Sequence, residues 1–331
     1  MRVILSDKNL SPYFNLASEQ YLLEGEGDVF MIWRNGRSVI IGKNQNAYSE
    51  VNVGFCEENG IKVARRLTGG GAVFHDEGNI NFSFVTDKAD EGIDFGRFIE
   101  PITDALSVFG IKAEKNGRND ITADGFKISG NAQTVYNTPD GRKRLLHHGT
   151  LLFSADISDM TGALNVRKEK LEAKGIKSVS SRVKNICDLD GYAGPRSPVE
   201  FMKELTKNAE KRYGVKAVSF DADEEKIIHA SEKEKFSTWE WNFGASPSFT
   251  NSVSKRFPYG IVELGICSKN GVITSIDVSG DFFGEKDVKE LETGLVGCRL
   301  GRDELKNALS DVGKYVNGAT PDDMIGLILG E

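Results

Sequence analysis

Near the start of the chain, apolar residues recur at helical spacing: Phe14, Ala17, Tyr21 and Leu22 share one side of a helix predicted over 14–24. The period then shortens. Two β-rich runs, 29–34 and 38–42, flank Asn35-Gly36, a dipeptide that favours a two-residue hairpin turn. Residues 61–64 and 80–85 read as further strands. In the second, Phe82 and Phe84 alternate with Asn81 and Ser83, the pattern of a half-buried strand. A helix is predicted over 98–109, opened or kinked by Pro101. Strands at 126–136 and 143–153 are joined through Thr138-Pro139-Asp140-Gly141, whose turn chemistry predicts a hairpin. Ser197-Pro198-Val199-Glu200 has the form of a capping box opening a helix toward Tyr213, and another helix is expected from Asp223 to about Phe236.

Strand and helix runs that do not alternate strictly predict an α+β domain on a mixed or antiparallel sheet. Residues 242–251, with Gly244, Ser246, Pro247 and Ser248, have the composition of a boundary. Two strands follow, 260–268 and 272–279, joined through Lys269-Asn270-Gly271, and then helices near 286–295, 302–312 and 321–329. The expected division is a large domain over 1–243, a linker over 244–251 and a small α+β domain over 252–331.

Composition narrows the partners. The chain has 331 residues, 39% hydrophobic and 27% charged, as in an ordinary soluble protein. A net charge of −7 gives no general attraction to nucleic acid or anionic membrane, so any anionic ligand must meet a local basic cluster. No apolar stretch approaches the roughly 20 residues of a membrane span, and Met1 to Ser11 lacks the pattern of a signal peptide. Cys56, Cys187, Cys267 and Cys298 are widely spaced with no CxxC, as expected of reduced thiols in a cytoplasmic protein.

The densest chemistry lies in Arg65-Arg66-Leu67-Thr68-Gly69-Gly70-Gly71-Ala72-Val73-Phe74-His75-Asp76. Consecutive glycines let a backbone approach a ligand and turn N–H groups toward an anion. The neighbouring arginines supply charge suited to phosphate or carboxylate. The segment is neither a Walker A loop nor a dinucleotide fingerprint. Lys127, within Gly125-Phe126-Lys127-Ile128-Ser129-Gly130, faces away from Phe126 and Ile128 and has small neighbours that leave room for a ligand. Asn119 and Asp120 offer oxygens of the kind magnesium takes alongside phosphates. His147 and His148 point to opposite faces of their strand, so at most one serves a given site. Residues 174–182 combine cations, glycine and hydroxyls in what reads as a mobile loop.

Taken in order, these segments resemble the lipoate–protein ligase A family. The resemblance rests on Tyr13–Glu19, Ile40–Asn46, the Arg65–Asp76 block with Gly78-Asn79, Gly117–Asp120, Lys127–Gln133, His148-Gly149-Thr150, Lys174–Arg182 and Gly280-Asp281-Phe282, covering nearly the whole chain. It implies a large domain like those of biotin protein ligases and class II aminoacyl-tRNA synthetases. It also implies a reaction: lipoate and ATP give lipoyl-AMP and pyrophosphate, and the lipoyl group passes to a lysine of a lipoyl-domain protein. Acceptors of this kind are the 2-oxoacid dehydrogenase E2 subunits and the glycine cleavage H protein.

Carried onto this chain, the resemblance makes Lys127 the catalytic cation bridging carboxylate and α-phosphate. Arg66, Gly71, Ala72, Val73, Phe74 and Lys127 would hold ATP, and Gly69, Gly70, Lys127 and His148 would hold lipoate. Lys174, Gly175, Lys177, Ser178, Val179 and Arg182 would close over the adenylate, and Asp120 would take Mg2+. Leu67-Thr68 departs from the small pair common in the family, a change that would narrow the pocket. Two other readings compete: an octanoyl transferase of the same fold that works through a cysteine thioester, and a noncatalytic lipoate binder. A monomer that binds neither nucleic acid nor membrane is expected.

Overall fold

The β-rich runs assemble into three sheets in the computed structural model, which describes residues 1–87, 94–117, 119–164, 183–243, 251–269 and 271–329. The largest sheet runs β1 (Arg2–Ser6), β2 (Val29–Arg34), β6 (Asn79–Asp87), β10 (Lys143–Leu152), β9 (Phe126–Asn137), β8 (Asp120–Ala123), β7 (Ala113–Asn116). Only β1 and β2 pair in parallel within it, so the sheet is mixed and mainly antiparallel. A second sheet places β3 (Ser38–Ile41) between β4 (Lys62–Arg65), parallel to it, and β5 (Val73–His75), antiparallel.

The expected hairpin across Asn35-Gly36 does not form, because β2 and β3 belong to different sheets. A two-residue hairpin turn of the type this dipeptide favours needs positive φ at both positions, and neither residue has it. Asn35 is instead fully buried, accepting from Asn15 Nδ2 and donating to His75 Nδ1. The hairpin at 138–142 does form: Thr138 N–H donates to the Arg142 carbonyl, and β9 and β10 pair in register.

Both faces of the large sheet are covered. The helix Pro12–Glu24, capped by Ser11 Oγ on the Phe14 N–H, lies on one face with Val29, Met31, Trp33, Val85 and Leu146. Helices Gly96–Ser107 and Pro198–Tyr213 cover the other, where Phe30, Phe82, Phe84 and Leu151 meet Phe98, Ile102, Phe201 and Leu205. The polar residues of β6, expected to face solvent, are therefore buried along with Phe82 and Phe84. Pro101 sits inside its helix rather than opening it. Ser197 does precede a helix with Pro198 in the first turn, but its side chain makes no cap bond. The full capping box occurs at the next helix, where Asp221 and Glu224 cap reciprocally.

A separate apolar cluster, built from β11 (Asn251–Phe257), β12 (Gly260–Lys269), β13 (Val272–Gly280) and the helices that follow, holds the C-terminal part together. β11 was not expected from the sequence. The helix predicted over 302–312 stops at Ala308, and a short turn of helix, Val312–Tyr315, follows.

Candidate active site

β8 and β9 carry the first functional side chain. Pairing steps from Ile121↔Ser129 to Thr122↔Lys127, so Ile128 is an extra residue in β9. Such a bulge shifts the alternation of side chains. Ile128 enters the far-face core, while Lys127 lies on the same side as Gly130, near enough that a Cβ on that glycine would sit 3.2 Å from Lys127 Nζ. The ammonium pairs with Asp120 Oδ1 at 2.7 Å, both side chains partly exposed. It lines a cavity of about 150 Å³ with Gly130, Asn119 and Thr150 on the polar side and Leu16, Trp33 and Ile40 on the apolar side.

The glycine segment forms the opposite wall. Gly70, Gly71, Ala72 and Val73 line the cavity. Among the described residues, no acceptor engages the N–H groups of Gly71 and Ala72. Adjacent free N–H groups of this kind suit an anion. Phe74 lies outside the cavity, its ring buried with Val39 and Ile41 in the core behind β3. Gly69 also points elsewhere: a methyl there would overlap the carbonyl oxygen of Phe282.

Neither arginine is a free phosphate ligand here. Arg65 donates to the carbonyls of Gly42, Lys43, Gln45, Trp241 and Asn242. Arg66 donates to the carbonyls of Ile40, Gly69 and Gly71 and to Thr68 Oγ1. Burial lowers both guanidinium pKa values to about 10, which leaves them charged at neutral pH. Arg66 thus shapes the glycine segment by binding its carbonyls, and a nucleotide contact with it would compete with those bonds.

A buried polar chain runs behind the cavity. Trp33 Nε1 donates to Ser83 Oγ at 2.8 Å, and Ser83 Oγ donates to Glu19 Oε1 at 2.6 Å. His148 bridges Glu19 Oε1 through Nδ1 and Thr68 Oγ1 through Nε2, both at 2.8 Å. Because Thr68 Oγ1 accepts from Arg66 Nε, its own proton is available to His148 Nε2. The chain links the charge of buried Arg66 to the carboxylate of Glu19, which is wholly buried. Thr68 is a member of it, and Leu67 packs in the core beside Phe14 without lining the cavity. The expected narrowing by Leu67 is not found.

Of the two neighbouring histidines, only His148 reaches the cavity. His147 lies on the far face among Phe82, Phe84, Phe95 and Phe98. His75 and Asn81 were not expected in the site and line it. His75 Nε2 and Asn81 Nδ2 are buried with no hydrogen-bond partner among the described residues. Burial pushes His75 down to about 3. The sequence signal for Asn81 was its alternation with phenylalanines, which marks two faces without saying what covers the polar one. Residues 174–182 lie outside the described residues. The described chain re-enters beside the site, where Val183 bridges to Lys127 and Lys184 N–H donates to its carbonyl.

Among the described residues no three His, Cys, Asp or Glu side chains gather as a metal cage. No helix among them is long and apolar enough to cross a membrane.

The model of the lipoyl protein ligase A/B catalytic domain matches residues 11–210, and that of the bacterial lipoate protein ligase C-terminus matches residues 246–328. The chain is 41% identical to lipoate-protein ligase LplJ of Bacillus subtilis, over 98% of this chain and 99% of that protein. Among solved structures it is similar to P. falciparum LipL1 in complex with lipoate, with 27% identity and a TM-score of 0.78 over 100% of this chain and 99% of that one. It is similar also to lipoate-protein ligase A bound with ATP, with 26% identity and a TM-score of 0.59 over 73% of this chain and 98% of that one. With both the catalytic and the C-terminal family models matched in one polypeptide, this chain belongs to the lipoate–protein ligase family of enzymes.

Proposed function

We propose that the protein activates lipoate with ATP to lipoyl-AMP, releasing pyrophosphate, and then transfers the lipoyl group to a lysine of a lipoyl-domain protein. The observation that carries this reading is a single cavity with three parts. It has an apolar wall of Leu16, Trp33 and Ile40, a cation at Lys127, and the unengaged N–H groups of Gly71 and Ala72. An aliphatic acid fits the first, a carboxylate and an α-phosphate the second, and nucleotide phosphates the third.

In the first step a carboxylate oxygen of lipoate forms a bond to the α-phosphorus, and the bond from that phosphorus to the bridging oxygen of pyrophosphate breaks. Lys127 stabilises the charge that builds between the two anions, and Asp120 holds its ammonium in place. In the second step the acceptor amine attacks the acyl carbonyl and AMP leaves. Closure by residues 174–182 would keep water from the mixed anhydride.

Asp120 alone does not make a protein-held metal site. A Mg2+ arriving on ATP could take one carboxylate with phosphate oxygens, but at Asp120 it would compete with the pair to Lys127. The division into 1–243, 244–251 and 252–331 belongs to the same proposal, as do E2 subunits and H protein as acceptors and a cytoplasmic monomer as the working form.

The thioester alternative needs an activated cysteine. Burial pushes the Cys56 thiol up to about 11, the Cys187 thiol is raised as well, and neither lines the cavity. The deciding experiment is exchange of labelled pyrophosphate into ATP. Exchange that depends on lipoate is expected. Its absence with ATP, magnesium and lipoate all present would overturn the adenylation reading in favour of the transferase.

A further inference from the structure

Three glycines in a row have wide conformational freedom, yet an anion cradle works only if its N–H groups are held in place. Arg66 holds the carbonyl side of this segment, at Gly69 and Gly71. The other side is held from the small domain. Gly70 N–H donates to the Phe282 carbonyl at 3.2 Å. Gly70 has φ +91°, and a Cβ on it would lie 3.1 Å from the Phe283 ring. At Gly69 the approach of Phe282 leaves no room for a side chain.

The two phenylalanines are adjacent in sequence and planted in different cores. Phe282 is wholly buried in the cluster formed by β12, β13 and the C-terminal helices. Phe283 is 2% exposed and belongs to the large-domain cluster, its ring centroid 5.5 Å from that of Phe95. Nearby bonds fix the same seam. Gly280 N–H donates to the Asn44 carbonyl at 2.7 Å, and Lys43 Nζ meets Asp287 Oδ2 at 3.0 Å. Lys43 N–H in turn donates to the Thr68 carbonyl, one residue before the glycines.

We infer that Phe282 and Phe283 are positioning residues for the nucleotide site: the small domain sets the conformation of the glycine segment and so tunes ATP binding without touching ATP. The inference rests on the proposed adenylation. The Phe282 carbonyl fixes the Gly70 N–H, Phe283 locks that carbonyl to the large-domain core, and Gly71 and Ala72 are left presented to the cavity.

The wild-type protein gives the first test, by amide hydrogen exchange. The Gly70 amide is expected to exchange at least about tenfold more slowly than those of Gly71 and Ala72. Equal rates would overturn the inference, whatever the enzyme does with lipoate. Phe283→Ala is then expected to raise the KM for ATP about tenfold in pyrophosphate exchange, to release the Gly70 amide, and to leave lipoate affinity by calorimetry within about threefold of wild type. Phe283→Leu should restore most of the ATP affinity. If Phe283→Ala does not fold, Gly69→Ala levers the same contact apart from the large-domain side and should show the same split. Parallel loss of ATP and lipoate binding, or no change in either, would overturn the positioning role. Failure of the wild-type enzyme to catalyse exchange would count against the adenylation proposal, and the Gly70 amide would still decide this one.

Discussion

Ser83 and Phe84 are neighbours on β6, and they pair across to His148 and His147 on β10. One row, Ser83 with His148, faces the cavity and joins Trp33, Glu19, Thr68 and Arg66 in a continuous hydrogen-bonded chain. The other row, Phe84 with His147, faces the helices and is packed with Phe30, Phe82 and Phe98. Both rows are buried, so exposure does not tell them apart. The difference is in what each buried atom meets. On the cavity side the polar groups are tied to one another by hydrogen bonds, with Glu19 Oε2, His75 Nε2 and Asn81 Nδ2 left buried and unpartnered among the described residues. On the far side the stabilisation comes from removing apolar surface from water, about 1.5–3 kcal/mol for each large side chain.

The comparison predicts different kinds of damage on the two faces. Phe84→Ala should cost about 3–5 kcal/mol of stability, the range for a buried phenylalanine, measured by urea unfolding. The KM for lipoate and for ATP should be unchanged in the protein that remains folded. A rise in either KM would mean that the far face shapes the site and is not only its support.

Lys127→Ala should do the reverse. Adenylation is expected to fall by more than about 100-fold, some 2.7 kcal/mol of barrier. Stability should change by no more than about 1 kcal/mol, because the pair with Asp120 is partly solvated. Near-normal lipoate-dependent exchange in this variant would remove Lys127 from the reaction.

These two faces also show what could be read from the sequence. The strands at 29–34, 126–136 and 143–153 were legible because alternation and turn chemistry are local properties. Lys127 was legible as well, since its apolar neighbours and small companions fix which way it points. The bulge at Ile128, which puts the lysine on the same side as Gly130, has no signature within β9 and depends on register with β8. The hairpin at Asn35-Gly36 failed for a related reason. The dipeptide permits a tight turn, but Asn35 finds buried partners on Asn15 and His75 that only the folded chain brings near. The charge of Arg65 and Arg66 is visible in the sequence, whereas the backbone carbonyls that take up their N–H donors are visible only in the fold.

Ser83→Ala is a milder probe of the polar face. It leaves Trp33 Nε1 buried without an acceptor and takes a donor from Glu19, so a loss of about 1–3 kcal/mol is expected in urea unfolding. Unlike Phe84→Ala, it should also raise the KM for lipoate, because Trp33 forms part of the apolar wall. A stability loss with unchanged KM would make the polar chain purely structural.

The smallest effect sharpens the comparison through pH. His75 beside the cavity and His147 on the far face are both fully buried, and burial lowers both pKa values, that of His75 to about 3. In the unfolded chain each takes up a proton near pH 6.5. Below that pH the unfolded state binds more protons than the folded one, so stability is fully present above about 6.5 and is lost as pH falls toward 3. For His75 the slope in that window is about 1.4 kcal/mol per pH unit, and the contribution of His147 has the same sign. His147→Leu should therefore lose stability less steeply than wild type in the first pH unit below about 6.5, by up to about 1.4 kcal/mol, with lipoate-dependent exchange retained. Equal slopes would mean that His147 is protonated in the folded protein. The aromatic face would then carry a charge, and the division between a polar face and an apolar one would fail at the residue where it is sharpest.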